Sequence, residues 1–277
     1  MGLRVNTNTA SLAAQRHLRA NSADQRTSLE RLSSGVRINR AADDSAGLAI
    51  AEKMRAQIRS LRQDMRNASD GVSMVQTAEG AMNESANILV RLRELSIQGA
   101  SDTIGNNERG FIDKEFQMLH KELDRIADST EYNGIKLLNG NSKDLEVQIG
   151  VNHRGSEDHL DFKRSEFNVT TASMGLEGTN VMTTASARDN LAVLDHAITQ
   201  VSDARATMGA LQNNFISTMN RLRIYEENLT EARSRFMDTD FANESAELAR
   251  SNVLSQAAIS ILTQANTLPT VALKLLG

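Results

Sequence analysis

RLSSGVRINRAADDSAGLAIA, residues 31–51, lies between two long helical patterns and is built unlike either. Ser33, Ser34 and Gly35 break the first pattern. Arg37 and Arg40 then stand close in sequence to Asp43 and Asp44. Asp43, Asp44 and Ser45 are residue types that cap a helix, and the 3.6-residue apolar period resumes at Leu48. The stretch therefore reads as a compact, charge-rich connector between two helices. Two roles fit that reading. One is a capped interhelical loop. The other is a connector whose guanidinium and carboxylate groups reach neighbouring copies, since such forks are bidentate and directional.

Upstream, residues 3–33 read as a first helix, with Leu12, Leu18, Leu29 and Leu32 as a sparse apolar face and Arg16, Arg19 and Arg26 on the other side. Such a helix needs a partner to bury that face. Downstream, Ala51, Met54, Ile58, Leu61, Met65, Ala68, Val72 and Val75 alternate spacings of three and four, a heptad-like seam. A helix over residues 44–98 would be about 80 Å long. Gly71 and Gly80 each cost about 1 kcal/mol in a helix interior, so a bend is expected near them. Residues 99–107 form a break rich in Gly, Ser, Asp and Asn. A shorter helix follows on Ile112, Phe116, Leu119, Leu123 and Ile126 and returns antiparallel. Asn133-Gly134 is a turn signal. Leu145, Val147 and Ile149 alternate with polar residues, as do Leu160 and Phe162, which predicts a β-hairpin over 145–162.

Residues 163–188 have no period and are rich in Thr, Ser, Asn and Gly, so they read as surface loop or short irregular strands. Asp189 opens the last long seam, through Leu191, Leu194, Ile198, Val201, Ala204, Met208, Leu211 and Phe215. MDTDF, residues 237–241, marks another joint. Beyond it the apolar residues fall on several faces, so this segment wants partners on several sides.

Composition supports elongated helices. Aromatics are 3% of the chain, Trp is absent and there is a single proline. A compact globular core normally uses more rings. The fold class expected is mainly α: an elongated helical bundle or coiled coil with a small β-hairpin, its N- and C-terminal helices pairing in a separate inner domain. The division expected is an inner coiled-coil domain from residues 1–43 and 238–277, an outer rod domain from 44–162 and 189–237, and a short variable link at 163–188. The ends differ in charge. Residues 1–40 hold seven Arg against Asp24 and Glu30, a net of +5. Residues 238–277 hold Arg250 and Lys274 against Asp238, Asp240, Glu244 and Glu247, a net of −2. Opposite signs favour pairing of the two ends.

The same data exclude several function classes. Net charge is −4, which argues against nucleic acid. With no cysteine there is no disulfide and no thiolate metal site. The opening residues lack the apolar core of a cleavable signal peptide. Residues 251–273 are uncharged, but Ser, Thr, Asn and Gln are too frequent and Pro269 too central for a membrane span. No phosphate-binding loop, dinucleotide fingerprint or HExxH motif is present, so no enzyme and no cofactor is expected. Of the five histidines only His153 and His159 are near one another, beside Asp158, and they read as a solvated turn rather than a metal site.

LSSGVRINRAADDSAGLAIAEKMRAQI, residues 32–58, resembles the N-terminal signature of bacterial flagellins. VNTNTASLAAQRHL, RLRELSIQGA and EYNGIKLLNG resemble that family in its order, as do SRFMDTDFANESAELA and SILTQAN near the C-terminus. The likeness covers residues 1–160 and 187–277. It implies a structural subunit, exported without a cleaved signal peptide, that polymerises with itself into the extracellular flagellar filament used for motility. The short 163–188 link resembles a minimal form of the family without large outer domains.

The resemblance also implies partners and sites. Subunit packing would involve Arg31, Arg37, Asn39, Arg40, Asp43 and Asp44. Hook-associated and cap proteins, and an export chaperone at the C-terminal helix, are the partners it implies. RLRELSIQ, residues 91–98, matches the segment read by the vertebrate Toll-like receptor for flagellin, and Arg91, Leu95 and Glu115 carry over individually. O-glycosylation, if present, is expected at Thr170, Thr171, Ser173, Thr179, Thr183, Thr184 or Ser186. The rival readings are a hook–filament junction protein, told apart by its copy number, and a soluble coiled-coil adaptor, which would form no fibres.

Overall fold

A computed structural model of the chain describes residues 7–140, 143–152 and 158–276, with side chains up to residue 267. Among the described residues five α-helices carry the fold: α1 (Thr9–Ser34), α2 (Ser45–Gly99), α3 (Asn106–Ser129), α4 (Thr184–Met237) and α5 (Phe241–Leu276). The expected hairpin is present as β3 (Leu145–Gln148) and β4 (His159–Phe162), antiparallel with Leu145 opposite Phe162 and Gln148 opposite His159. A second, shorter ladder pairs β1 (Glu131–Tyr132) with β2 (Ile135–Lys136). Sequence indicated only its turn. Asn133 and Gly134 both have positive φ, 50° and 78°, the backbone that a two-residue hairpin loop requires.

The chain divides into two compact units. One is Arg59–Glu226; the other comprises the described residues of Met1–Ile58 and Glu227–Gly277. In Arg59–Glu226 the seams predicted for α2, α3 and α4 form one core, with Met82, Leu89, Leu92, Phe116, Leu123, Leu194, Met208 and Phe215 fully buried. Helix α2 keeps its helical hydrogen bonding through Gly71 and Gly80. Gly71 has a packing reason: a Cβ there would stand 2.8 Å from the Phe215 ring. The break after α2 is held by buried Arg109, which donates to the carbonyls of Gly99 at 3.0 Å and Ser101 at 2.8 Å.

Residues 163–188 are not the surface loop that their lack of period suggests. Phe167, Val169, Met174, Leu176, Val181 and Ala187 are buried in the same core. One face of α3 ties this segment down. Asp124 accepts from the Thr171 amide (2.8 Å) and hydroxyl (2.9 Å), and Asp113 accepts from the Val181 amide at 2.9 Å. Gln117 donates to the Thr179 carbonyl at 3.0 Å. Irregular backbone can be buried here because side chains satisfy its amides. Helix α4 then begins at Thr184, five residues before the expected Asp189.

In the other unit α1 and α5 run antiparallel. Ser11 Oγ donates to Asn266 Oδ1 (2.8 Å), Gln25 Nε2 to Asn252 Oδ1 (2.7 Å), and Arg31 pairs with Glu244 at 3.5 Å. Burial along α1 falls on Ser11, Ala14, Leu18, Asn21, Gln25, Ser28 and Leu32, and along α5 on Leu248, Ser251, Ser255, Ala258, Leu262 and Ala265. Both sets alternate steps of three and four. This is a heptad seam made mostly of small and polar residues, which bring the two backbones close. Leu12 and Leu29, expected on the buried face, are exposed instead. The seam positions beside them are occupied by Ser11 and Ser28.

Candidate assembly surface

The connector between α1 and α2 is pinned from both sides. Gly35 caps α1 in the left-handed conformation at φ 72°, its amide donating to the Arg31 carbonyl. Val36 then forms an antiparallel bridge with Asp238. Arg37 N donates to Met237 O at 2.6 Å and Thr239 N to Gly35 O at 3.0 Å. Ile38 is buried with Ala51 and Met237 beneath this bridge. The connector thus meets the α4–α5 joint, the second place where both helical patterns stop.

Its charged side chains do not pair as their sequence order suggests. Asp43 Oδ2 accepts from the backbone amides of Asn39 (3.0 Å) and Arg40 (2.9 Å). Those two amides, that of Arg40 first, hold its carboxyl below the usual range. Asp44 Oδ1 accepts from Gly47 N at 2.8 Å and so starts α2. A carboxylate at a helix start is taken by amides that have no intrahelical partner, so Arg40 turns to Glu30. It donates there through Nε (3.1 Å) and Nη2 (2.9 Å), and Asn39 Nδ2 joins at 2.8 Å. Arg31 Nε donates to the Arg37 carbonyl at 3.1 Å, and Arg37 Nη2 to the Phe236 carbonyl at 2.9 Å. Each guanidinium has a partner within the chain, which fixes the direction in which the rest of the fork points.

The largest unpartnered apolar side chains in this unit lie off the α1–α5 seam. On α5 they are Phe241, Val253, Leu254, Ile259 and Ile261; on α1 they are Leu12 and Leu29. The apolar residues of α5 fall on several faces, and the seam covers one of them. Leu262 is half-buried on the seam, and the chain's Leu273 and Leu276 lie outside the described side chains.

On Arg59–Glu226, Arg91 and Glu115 come together. Arg91 donates to Glu115 Oε1 through Nε at 3.0 Å and Nη2 at 2.7 Å, and to Glu94 Oε2 through Nη1 at 2.9 Å. Both side chains are about half exposed. Leu95 does not join them: at 1% exposure it belongs to the core, because its turn of α2 directs it inward. Of the three residues that carry over by resemblance, Leu95 is thus the one placed in the core. Within Arg59–Glu226 the large apolar groups exposed on these two helices are Val90, Ile97, Phe111 and Met118, with Lys114 Nζ 5.6 Å above the Phe111 ring.

The hydroxyls of residues 163–188 are mostly engaged. Thr170 donates to Asn168, Thr171 to Asp124, Thr179 to the Leu176 carbonyl and Thr184 to Asp102. Thr183 and Ser186 bond each other at 2.9 Å. Ser173 is exposed, and its side chain donates to no neighbour among the described residues. His120 packs on Phe116, with ring centroids 4.8 Å apart. Burial pushes its imidazole below the usual value, against the opposing charges of Asp124 and Asp113. His153 lies outside the described residues; His159 stands on β4. Among the described residues no helix is long and apolar enough to cross a membrane.

Two family models match the chain: the bacterial flagellin N-terminal helical region over residues 5–143, and the bacterial flagellin C-terminal helical region over residues 191–276. The chain belongs to the bacterial flagellin family. It is 39% identical to a flagellin of Halalkalibacterium halodurans over 98% of this chain and 99% of the relative. It is also 39% identical to a flagellin of Bacillus subtilis, over 99% and 100% of the two chains. A flagellar filament 30.7 kDa core protein of Treponema maltophilum shares 38% identity over 95% and 96%. Among solved structures, the crystal structure of Bacillus cereus flagellin superposes with a TM-score of 0.51 at 31% identity, covering 57% of this chain and 88% of that one. A putative flagellar hook-associated protein of Vibrio parahaemolyticus shares the fold alone, with TM-score 0.59 and 13% identity over 71% of this chain and all of that one. The chain is a structural subunit of the bacterial flagellar filament, and its relatives at full length give no support to the hook-junction alternative.

Proposed function

We propose that α1, α5 and the connector form the polymerisation surface of this filament subunit. One observation carries the reading: the large apolar side chains of α1 and α5 lie outside their mutual seam, where only other molecules can cover them. Exposed apolar groups set side by side mark interaction surfaces. Set against a different face of the next copy, such a patch makes a heterologous contact, and where the rotation does not close the result is an open fibre. On this reading the functional division falls at the connector, with residues 1–43 and 238–277 inside, 44–237 outside and 163–188 as the link. Arg31, Arg37, Asn39, Arg40, Asp43 and Asp44 then set the angle between subunits through the contacts described above. The chain works by polymerising and turns over no substrate.

Export proceeds without a cleaved signal peptide, and the filament is extracellular. Before assembly the outer face of α5 needs a cover, and an export chaperone supplies it; at the filament ends, hook-associated and cap proteins take the same surface. Electron microscopy after salt-induced assembly tests the reading. Fibres are expected, and a lasting monomer or dimer at high concentration would remove it.

The Toll-like receptor for flagellin is proposed to read Arg91 and Glu115, which are exposed and paired. Arg91→Ala and Glu115→Ala are expected to weaken signalling while leaving the fold intact. Leu95→Ala is expected to lower stability by about 2–5 kcal/mol, as for other core leucines. A cell reporter for the receptor, run beside thermal unfolding, separates the two effects. Full signalling by both charge variants would overturn the assignment. If O-linked sugars are added to 163–188, Ser173 is the first site expected, and intact mass of Ser173→Ala protein from the native source checks it: unchanged glycan mass would refute the site.

A further inference from the structure

A buried carboxylate without a partner sits under the β3–β4 hairpin. Asp64, on α2, is 5% exposed, and its Oδ2 is enclosed with no hydrogen-bond partner among the described residues. Asp158, at the foot of β4, is 8% exposed. Its side chain lies against Gly150, where any Cβ would overlap the carboxylate. The Asp158 carbonyl accepts from Ile149 N at 2.8 Å, so this residue also closes the hairpin ladder. One turn along α2 from Asp64, Asn67 Nδ2 donates to the Gln148 carbonyl at 3.1 Å. The same stretch of α2 thus carries one group that fastens the hairpin and one acid with an oxygen that no described residue satisfies.

Among the described residues, the surrounding charges do not relieve Asp64. On α2, Arg62 is bound to Glu226 of α4 and Arg66 to Gln63, while Asp70 is exposed. On α4, Arg221 and Arg223 are exposed. The described part of the hairpin brings Glu146, Asp158, His159 and Asp161. Of all these, Asp158 is the one whose charge acts on Asp64. An ionised carboxylate buried without a donor or cation costs far more than the neutral acid in the same place.

We propose that Asp64 is a proton-operated latch: the β3–β4 hairpin is seated on α2 while Asp64 carries a proton, and is loosened when that proton leaves. Loss of the proton puts a charge on a carboxyl whose Oδ2 has no donor among the described residues, and the Asp158 charge acts against it. Burial first, and Asp158 second, hold the Asp64 carboxyl above the usual range. A folded-state value raised above the unfolded one has a definite sign. Its contribution to stability is complete below the unfolded value of 3.8 and is lost as pH rises through the folded value. The hairpin is therefore held most firmly in acid, the reverse of a salt-bridged carboxylate.

The test uses the full chain as dilute monomer at low salt. Amide exchange at Ile149, corrected for the intrinsic rate at each pH, is followed from acid to neutral solution. Wild-type protection is expected to fall as pH rises. Asp64→Asn, isosteric and uncharged, is expected to keep the acid-state protection throughout, so that the pH dependence is lost. A variant profile that tracks wild type would overturn the proposal. Should the variant lose helical content, the wild-type protein still decides: the Asp64 carboxyl carbon resonance is expected to titrate above the ordinary carboxylate range, and titration within that range sinks the latch.

Discussion

A chain carrying Leu254→Asp together with Ile261→Asp is expected to fold as wild type does and to form no fibres. Both side chains are exposed, seven residues apart on one face of α5, and off the seam that pairs α5 with α1. In the monomer two added charges stand in water, and surface changes of that kind shift stability by about 0.5 kcal/mol or less. In a fibre the same positions are covered. Each lost Leu or Ile removes roughly 1.5–3 kcal/mol of burial, and each buried, unpaired carboxylate costs several kcal/mol more. The loss recurs at every copy, so assembly fails rather than weakens. Circular dichroism of the monomer and electron microscopy of salt-treated protein read the two halves of the expectation. Leu248→Asp, on the seam itself, is the contrasting variant, because it should reduce helical content before any assembly step. Ordinary fibres from the double variant would remove the outer face of α5 from the polymerisation surface.

The same energetics set the fate of the ends in the monomer. Ordering a residue costs about 1–2 kcal/mol of backbone entropy. Against that, the α1 seam offers three apolar residues, Ala14, Leu18 and Leu32, among seven positions. A seam of serines, alanines and amides specifies which helices meet and in which register, but contributes little burial. Proteolysis of the monomer is expected to remove α1 and α5 first, and the assembled fibre to protect them.

The difference between the two units explains what the sequence made legible. In Arg59–Glu226 the buried positions are large and apolar, so spacing alone located α2, α3 and α4 and most of their core. In α1 and α5 the seam residues are small or polar, and the conspicuous leucines at 12 and 29 belong to the other face. Hydrophobic spacing therefore merged two faces there, Leu18 and Leu32 of the seam with Leu12 and Leu29 of the exposed side. Residues 163–188 failed for a different reason. Their burial rests on single ties from Asp113, Gln117 and Asp124 to backbone groups, and such ties leave no periodic mark. At the connector the caps were foreseen, but the Arg40 pairing with Glu30 spans ten residues and a chain reversal. Arg91 and Leu95 lie four residues apart on one helix, yet only the packed structure shows that one reaches solvent and the other the core.

Phe215→Ala should give the largest loss of stability in Arg59–Glu226, about 3–5 kcal/mol. The ring is fully buried, and α4 brings it directly over Gly71 of α2. No side chain at 71 can fill the space that the ring leaves, so the cavity persists. The partner position makes the argument sharper. Gly71→Ala alone sets a Cβ 2.8 Å from two ring carbons, inside contact distance, and a ring enclosed on all sides has little room to yield. Its expected sign is destabilising, although alanine is the better helix former by about 1 kcal/mol. In the Phe215→Ala background that clash is gone. Gly71→Ala should then stabilise, gaining helix propensity and occupying part of the cavity. The sign of one substitution thus depends on the presence of the other, which is what direct contact requires of a double-mutant cycle. Chemical unfolding of the four proteins, followed by the helical signal, reads the cycle. Equal effects of Gly71→Ala in both backgrounds would mean that the ring and the glycine do not constrain one another, and that the unbroken course of α2 past residue 71 has another cause.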